Sequence, residues 1–387
     1  MNKVTVSQKV EEKLTKGCFV LDKQDFSKLS LNNQCVELQN QAGKFIGTAY
    51  LSLQNKGIGW FISPRHLTLT VSFFRELFEK AKEKRSDYQD SKITTAYRLF
   101  NQDGDGFGGI SIDIYNEFAV FSWYNTFVFQ VKDLIVEAFQ EVFPHIKGAY
   151  EKIRFKGMTY ESAHVYGEEA PEFFTILENG VHYRVFLNDG LMTGIFLDQH
   201  DVRGSLVNGL ARGKSVLNLF SYTAAFSVAA AVGGASQTTS VDLAKRSREL
   251  SKAHFVANDI DLAQHHFVVM DVFSYFKYAK RHQMQFDFLI LDPPSFARNK
   301  KQTFSVAKDY NRLIEQALDI LSPDGVMIIS TNAANLSKIK LKKEIEKGFA
   351  GVPHSYLSEY RLPADFVYNK KDESSNYLKV FIVKVNK

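Results

Sequence analysis

Cysteine is almost missing from this chain: 387 residues hold only Cys18 and Cys35. Two thiols cannot make a disulfide framework or a four-thiolate zinc site. Long apolar runs are missing as well, none reaching the length that crosses a bilayer. The opening stretch MNKVTVSQKVEEKL has no apolar signal-peptide core. A cytoplasmic protein with reduced thiols and no membrane contact is therefore expected. Histidine forms no metal pattern, since His254, His265 and His266 have no partner spacing and the last two read as the start of a strand.

What is present is an ordinary globular composition, 45% hydrophobic and 24% charged, and a length that suits two or three domains. The net charge of +5 is unevenly spread, because residues 1–85 carry 14 Lys/Arg against 8 Asp/Glu. A basic module beside a near-neutral body suits a polyanion such as RNA, and equally suits a solvated surface.

Three segments read differently. Residues 1–68 alternate short apolar runs with glycine turns and predict a small all-β module. Residues 69–172 predict a central α+β unit: a helix near 71–85, a hairpin after NQDGDGFGG, a helix near 126–143 and a strand near 149–156, closed by the linker-like YGEEAPEF. Residues 173–387 open with a hairpin and then alternate apolar strands (SVLNLF, TTSVD, HHFVVMD, FDFLILD, GVMIIS, YLKVFIVKV) with helices near 223–232, 244–257, 272–282, 309–321 and 337–349. Such alternation predicts an α/β fold with a mainly parallel sheet covered on both faces.

Ligands of open parallel sheets bind at the carboxyl ends of the strands. The first strand leads into NLFSYTAAFS, and the next three end at Asp242, Asp271 and Asp292. The first loop has neither G-x-G-x-x-G nor G-x-x-x-x-G-K-[ST], so no glycine cradle awaits a pyrophosphate. It offers Ser221, Tyr222 and Thr223 instead. A carboxylate ending the second strand can accept both ribose hydroxyls, and one ending the third can accept from an adenine amino group. A nucleoside without a phosphate chain fits, and S-adenosylmethionine, with a sulfonium that tolerates carboxylates, is the expected cofactor. For Asp242 and Asp271 a helix N-cap is an equal alternative, and Asn218 could serve only its own turn.

The stretches MTGIFLDQHDVR, VLNLFSYTAAFSVAAA, SVDLAKRS and FLILDPPSFARNK, with YRLFNQDGDGFGGISIDIY upstream, resemble the class I S-adenosylmethionine-dependent methyltransferases. The resemblance is greater to bacterial large-subunit rRNA methyltransferases that place a PUA domain before a Rossmann-like catalytic domain. It implies a PUA-type RNA-binding barrel over 1–68, a central linker domain over 69–172 and a methyltransferase domain over 173–387. It implies cofactor contacts at Asn218, Phe220, Ser221, Tyr222, Thr223, Asp242 and Asp271, and puts Gln199 and Arg203 at the cofactor or substrate border, with a structural ion pair an equal role for Arg203. Asp292, Pro293, Pro294 and Phe296 would floor the target-base pocket. One departure stands out: the family usually has glycine where Ala224 follows Tyr222-Thr223. A helical φ there would suit alanine, and a positive φ would strain it.

A base that is methylated leaves its stack and enters a pocket. Two prolines give a rigid ledge, Asp292 can accept from a base N–H, and Phe296 can stack on the ring. The alternative for Phe296 is the core. Arg298, Lys300 and Lys301 follow and could meet phosphate, as could Lys56, Arg65 and His66 in the first module. Cytosine carbon 5 needs a cysteine adduct at carbon 6 before it can be methylated. Relatives place that cysteine after the fifth strand, where this chain has IISTNAANLS and offers Asn332. This resembles a related branch that methylates a guanine ring nitrogen, where Asp-Pro-Pro is followed by Ser/Thr-Phe and the later strand ends in Ser-Asn-Asn; the acceptor so implied is a purine nitrogen such as guanine N7, on 23S rRNA of the large ribosomal subunit. Cytosine carbon 5 and a non-catalytic RNA-binding role are the alternatives, and a homodimer is left open.

Overall fold

The computed structural model describes residues 1–26, 33–54, 57–298 and 303–386. In the C-terminal half, seven strands form one sheet. They are β1 (Ser215–Leu219), β2 (Gln237–Asp242), β3 (His265–Val269), β4 (Phe286–Leu291), β5 (Leu321–Thr331), β6 (His354–Tyr360) and β7 (Lys379–Val385). Their order is β3-β2-β1-β4-β5-β7-β6. The first five pair in parallel, while β7 runs antiparallel to both neighbours. From β1 the chain builds outward to β3, then returns across to β4. Strand order thus reverses between β1 and β4, where open α/β sheets place their ligand crevice.

Alternate side chains of the central strands feed two cores. Val216, Phe288, Ile290 and Ile328 face one layer, with helices α1 (Ala225–Val232) and α2 (Lys245–Val256). Leu217, Leu219, Leu289 and Leu291 face the other, with α3 (Val272–Arg281), α4 (Val306–Leu318) and α5 (Lys338–Phe349). Burial on both sides explains why β1 and β4 read as unbroken apolar runs. β6 escaped the sequence reading because it is the outer strand with alternating exposure, and HSYLSEY does not read as an apolar run.

The central unit is a five-stranded sheet, Ala96–Asn101, Ile110–Tyr115, Phe118–Trp123, Gly148–Ile153 and Ser162–Gly167, with helices Val71–Glu83 and Lys132–Val142. The N-terminal module has a four-stranded sheet, Asn2–Thr5, Gln34–Gln39, Phe45–Gln54 and Gly57–Ser63. It is not wholly β, since helix Gln8–Thr15 lies between its first two strands, started by the Ser7 side chain accepting from Val10 N and buried at Val10 and Leu14.

The segments are interlocked. Tyr50 and Trp60 of the first module share one core with Phe74, Phe107 and Phe127 of the central unit. Tyr50 Oη donates to Gly108 O at 2.8 Å. Gly108 lies so close beneath the Trp60 indole that a methyl there would collide with the ring. Fully buried Arg85 binds both Asp105 carboxylate oxygens at 2.6 and 2.7 Å and donates to Asp365 O at 2.7 Å. Asp365 in turn accepts from Arg98 N and meets His200 Nε2 at 2.9 Å, which ties the central unit to the helix before β1.

Candidate active site

The loop after β1 is bent by three non-glycine residues in the left-handed region: Phe220 (φ 58°), Tyr222 (φ 49°) and Ala224 (φ 60°). Ala224 is therefore not helical, contrary to the favourable case for alanine, and the position has the conformation that glycine would adopt freely. Each such residue costs about 1–2 kcal/mol, so the surroundings must hold the loop. Ser221 N donates to Val241 O at 3.0 Å, Tyr222 N to Asp242 Oδ2 at 2.8 Å, Thr223 Oγ1 to Gly194 O at 2.7 Å and Ala224 N to Ser221 O at 2.7 Å.

Asp242 ends β2, and its other oxygen accepts from Ala244 N at 2.9 Å and Ser247 Oγ at 3.3 Å. Asp271 is the N-cap of α3, accepting from Ser274 N at 3.0 Å. Both carboxylates thus organise backbone, as the cap alternative holds, and both still line a cavity of about 440 Å³. That volume suits a nucleoside-sized ligand.

At the other end of the cavity, β4 ends in Asp292. Gln199 Nε2 donates to Asp292 Oδ2 at 3.1 Å and to Ser330 Oγ at 2.9 Å, while Gln199 Oε1 is buried with no partner among the described residues. Burial pushes the Asp292 carboxyl up to about 6, against the opposing pull of the Ser330 and Gln199 hydrogen bonds, and neighbouring Asp198 pushes the same way as burial. The buried Tyr310 hydroxyl lies 2.9 Å from Leu291 O and 2.7 Å from Ser330 O, which clamps the ends of β4 and β5 together. Ser295 Oγ meets Asn332 Oδ1 at 3.4 Å across the mouth.

The structure brings Gln199, Phe220, Ser221, Tyr222, Thr223, Asp242, Asp271, Asp292, Pro293, Pro294 and Asn332 to one cavity. Two expected residues stand apart. Asn218 is 1% exposed and donates to Ser227 Oγ at 3.0 Å, so it braces β1 against α1. Phe296 is 68% exposed and does not line the cavity, because it opens the short strand Phe296–Arg298 that pairs with Thr303–Ser305. That hairpin instead delivers Phe304, which is 4% exposed and packs near Phe220 and Phe273 at centroid distances of 6.3 and 5.6 Å. Phe304 had no signal in sequence. Arg203 reaches the wall but forms a buried pair with Glu178 at 2.6 Å and donates to Phe196 O at 2.7 Å. Asp198, Ile195, Phe196 and Met192 also line the cavity; they lie in the MTGIFLDQ stretch from which only Gln199 was singled out.

Neither cysteine lines the cavity: Cys18 Sγ meets Lys371 O, and Cys35 is half-buried with its thiol pushed up to about 11 by burial. His254 is fully buried against Arg184 O. No group of three metal-ligating side chains occurs among the described residues. In the first module Tyr50, Trp60 and Phe61 are core, whereas Arg65 is exposed and His66 stacks on Phe45 at 3.8 Å. Lys56, Lys300, Lys301 and the side chain of Arg298 lie outside the described residues.

Comparison with known proteins agrees with this geometry. The S-adenosylmethionine-dependent methyltransferase profile matches residues 152–363, and a PUA-like domain profile matches residues 4–64. YwbD of Bacillus subtilis, provisionally named a ribosomal RNA large subunit methyltransferase, is 42% identical over 89% of each chain. The Ribosomal RNA large subunit methyltransferase I of Yersinia pestis is 28% identical over 92% of this chain and 91% of its own. SMU.776, provisionally described as a methyltransferase and crystallised with SAH, superposes over the whole of both chains with a TM-score of 0.96 and 61% identity. A cavity of nucleoside size at the β1/β4 switch point, walled by aromatics and two strand-end carboxylates, suits the cofactor these matches imply. The chain belongs to the S-adenosylmethionine-dependent methyltransferase family.

Proposed function

We propose that this methyltransferase modifies a base of large-subunit ribosomal RNA, at a purine nitrogen such as guanine N7. The observation that carries the acceptor is a cavity with a half-buried carboxylate and an amide at its mouth but no cysteine in its wall. The relatives' names support the RNA class. Asp242 is assigned the ribose hydroxyls, Asp271 the adenine amino group, and Phe220, Ser221, Tyr222 and Thr223 the wall around them. Asp292, Pro293 and Pro294 take the base, and Asn332 its edge. Arg65, Lys56, Arg298, Lys300 and Lys301 are assigned to phosphates, and residues 1–68, 69–172 and 173–387 to reader, spacer and catalytic domains.

S-adenosylmethionine supplies an electrophilic methyl on a sulfonium. The acceptor nitrogen's lone pair would take that methyl, the C–S electron pair being left on sulfur. The positive charge passes to the base. Asp292, ionised at pH 7, would sit beside the charge that develops on the base, and the proline ledge would hold the ring for in-line attack. Guanine N7 has no proton to remove, so no general base is required.

Modification mapping of ribosomal RNA from cells with and without the gene tests the reading. The expected result is one methylated purine in large-subunit RNA that disappears on deletion and returns with the wild-type gene. An unchanged profile would refute the RNA assignment, and a lost methyl on cytosine carbon 5 would refute the acceptor.

A further inference from the structure

A second cavity, of about 210 Å³, lies on the far side of the turn that carries Asn332. Asn332 lines the catalytic cavity, while Ala334, Asn335, Ser337 and Lys338 line the second one. Lys379 lines the second cavity and holds the turn between Asn332 and Ala334. It starts β7 opposite Thr331, and its Nζ donates to Ala333 O and Tyr377 O, both at 3.0 Å.

Three features give this cavity anion character. The N-terminus of the 12-residue helix α5 opens into it: Ser337 Oγ accepts from Lys340 N and Ser337 O from Leu341 N, leaving the Lys338 and Ile339 amides ahead of the first intrahelical bond. Lys338, Arg361 and Lys379 line it. Asn376 also lines it, is only 8% exposed, and its Nδ2 has no partner among the described residues. Its Oδ1 is used, accepting from Leu362 N at 3.3 Å, so the amide orientation is fixed with the donor left over. A buried donor without an acceptor costs about 1–3 kcal/mol, which an incoming oxygen would recover. Glu359, outside the wall, holds Lys338 at 2.6 Å and Arg361 at 3.3 Å, and Glu373 is the carboxylate in the wall.

We propose that the cavity between the α5 N-terminus, Arg361 and Asn376 binds a backbone phosphate of the RNA strand whose base enters the catalytic cavity. The inference rests on the RNA reading above and adds a place and a register to it. The strand would cross the Asn332 turn, with a phosphate accepting from the helix amides, the Asn376 donor and the cations that Glu359 now restrains.

The test is steady-state methylation of large-subunit RNA from the deletion strain by the full-length protein, at several salt concentrations. Asn376→Asp keeps the acceptor for Leu362 N and replaces the donor with a negative charge; Arg361→Gln removes an exposed cation. Each should raise KM for RNA about 5–10-fold at unchanged kcat and unchanged SAH affinity by calorimetry. Losing one phosphate contact should also flatten the log–log salt slope by about 0.7. Glu359→Gln frees the cations and should lower KM. Inorganic phosphate should compete with RNA in the wild type and much less in Arg361→Gln. Variants that match the wild type in KM and slope overturn the inference alone. A wild type that methylates no RNA overturns both it and the reading beneath it. Phosphate that alters kcat at saturating RNA would mark a free-anion effector site and overturn the RNA assignment of this cavity.

Discussion

At Asp292, desolvation outweighs two hydrogen-bond donors and lifts the carboxyl to about 6. Activity that needs the carboxylate should rise between pH 5 and pH 7 with an apparent pKa near 6 and fall away below it. Stability runs the other way. A folded-state pKa above the unfolded value of about 4 means that the group favours the fold below that value, and that this contribution is lost as pH rises through 6. Asp292→Asn should therefore abolish most turnover yet raise the unfolding free energy at pH 7 by on the order of 1 kcal/mol, allowing for the water the cavity admits. Rate profiles and denaturant titrations at pH 5 and pH 7 check both signs. Residues of this kind were legible in the sequence because a charge ending an apolar strand contradicts its surroundings. Phe304 was not, since one more phenylalanine among 33 carries no mark, and only the fold of the hairpin from Phe296 selects it over its neighbour. Asn218 is the opposite case: a polar residue in an apolar strand can face a helix as readily as a ligand, and here it donates to Ser227.

Elements repeat the same lesson with backbone in place of side chains. The five parallel strands were readable from their apolar runs, while β6 and helix Gln8–Thr15 were not, because an edge strand shows only half its pattern and one short helix within a β-rich module is outweighed by the glycine turns around it. The loop from Phe220 to Ala224 exposes a subtler limit. Composition indicates a hydroxyl-rich turn, but the alternation of left-handed residues depends on β2, whose Val241 and Asp242 accept its amides. Ala224→Val places a β-branched side chain at φ 60° in a fully buried position. It should destabilise the fold by about 2–3 kcal/mol and weaken SAH binding, read by thermal unfolding and calorimetry. Ala224→Gly should bind SAH as the wild type does, because relief of the left-handed strain offsets the lost methyl contacts.

For the whole molecule, no pattern of residues hints that the N-terminal module and the central unit share a core. The two have separate sheets, yet Tyr50 and Trp60 are buried among residues of the central unit. The first module also has a core of its own around Val36, Leu38 and Leu51, but with Tyr50 and Trp60 committed to the neighbouring core the two should melt in a single calorimetric transition. Gly108→Ala, which forces the Trp60 ring to move, should lower that transition as a unit by about 1–3 kcal/mol without splitting it. Two resolved transitions in the wild type would disprove the shared core. Buried rings that belong to two sheets at once act as a weld and not as a hinge, so the angle between those sheets is set once, when the chain folds.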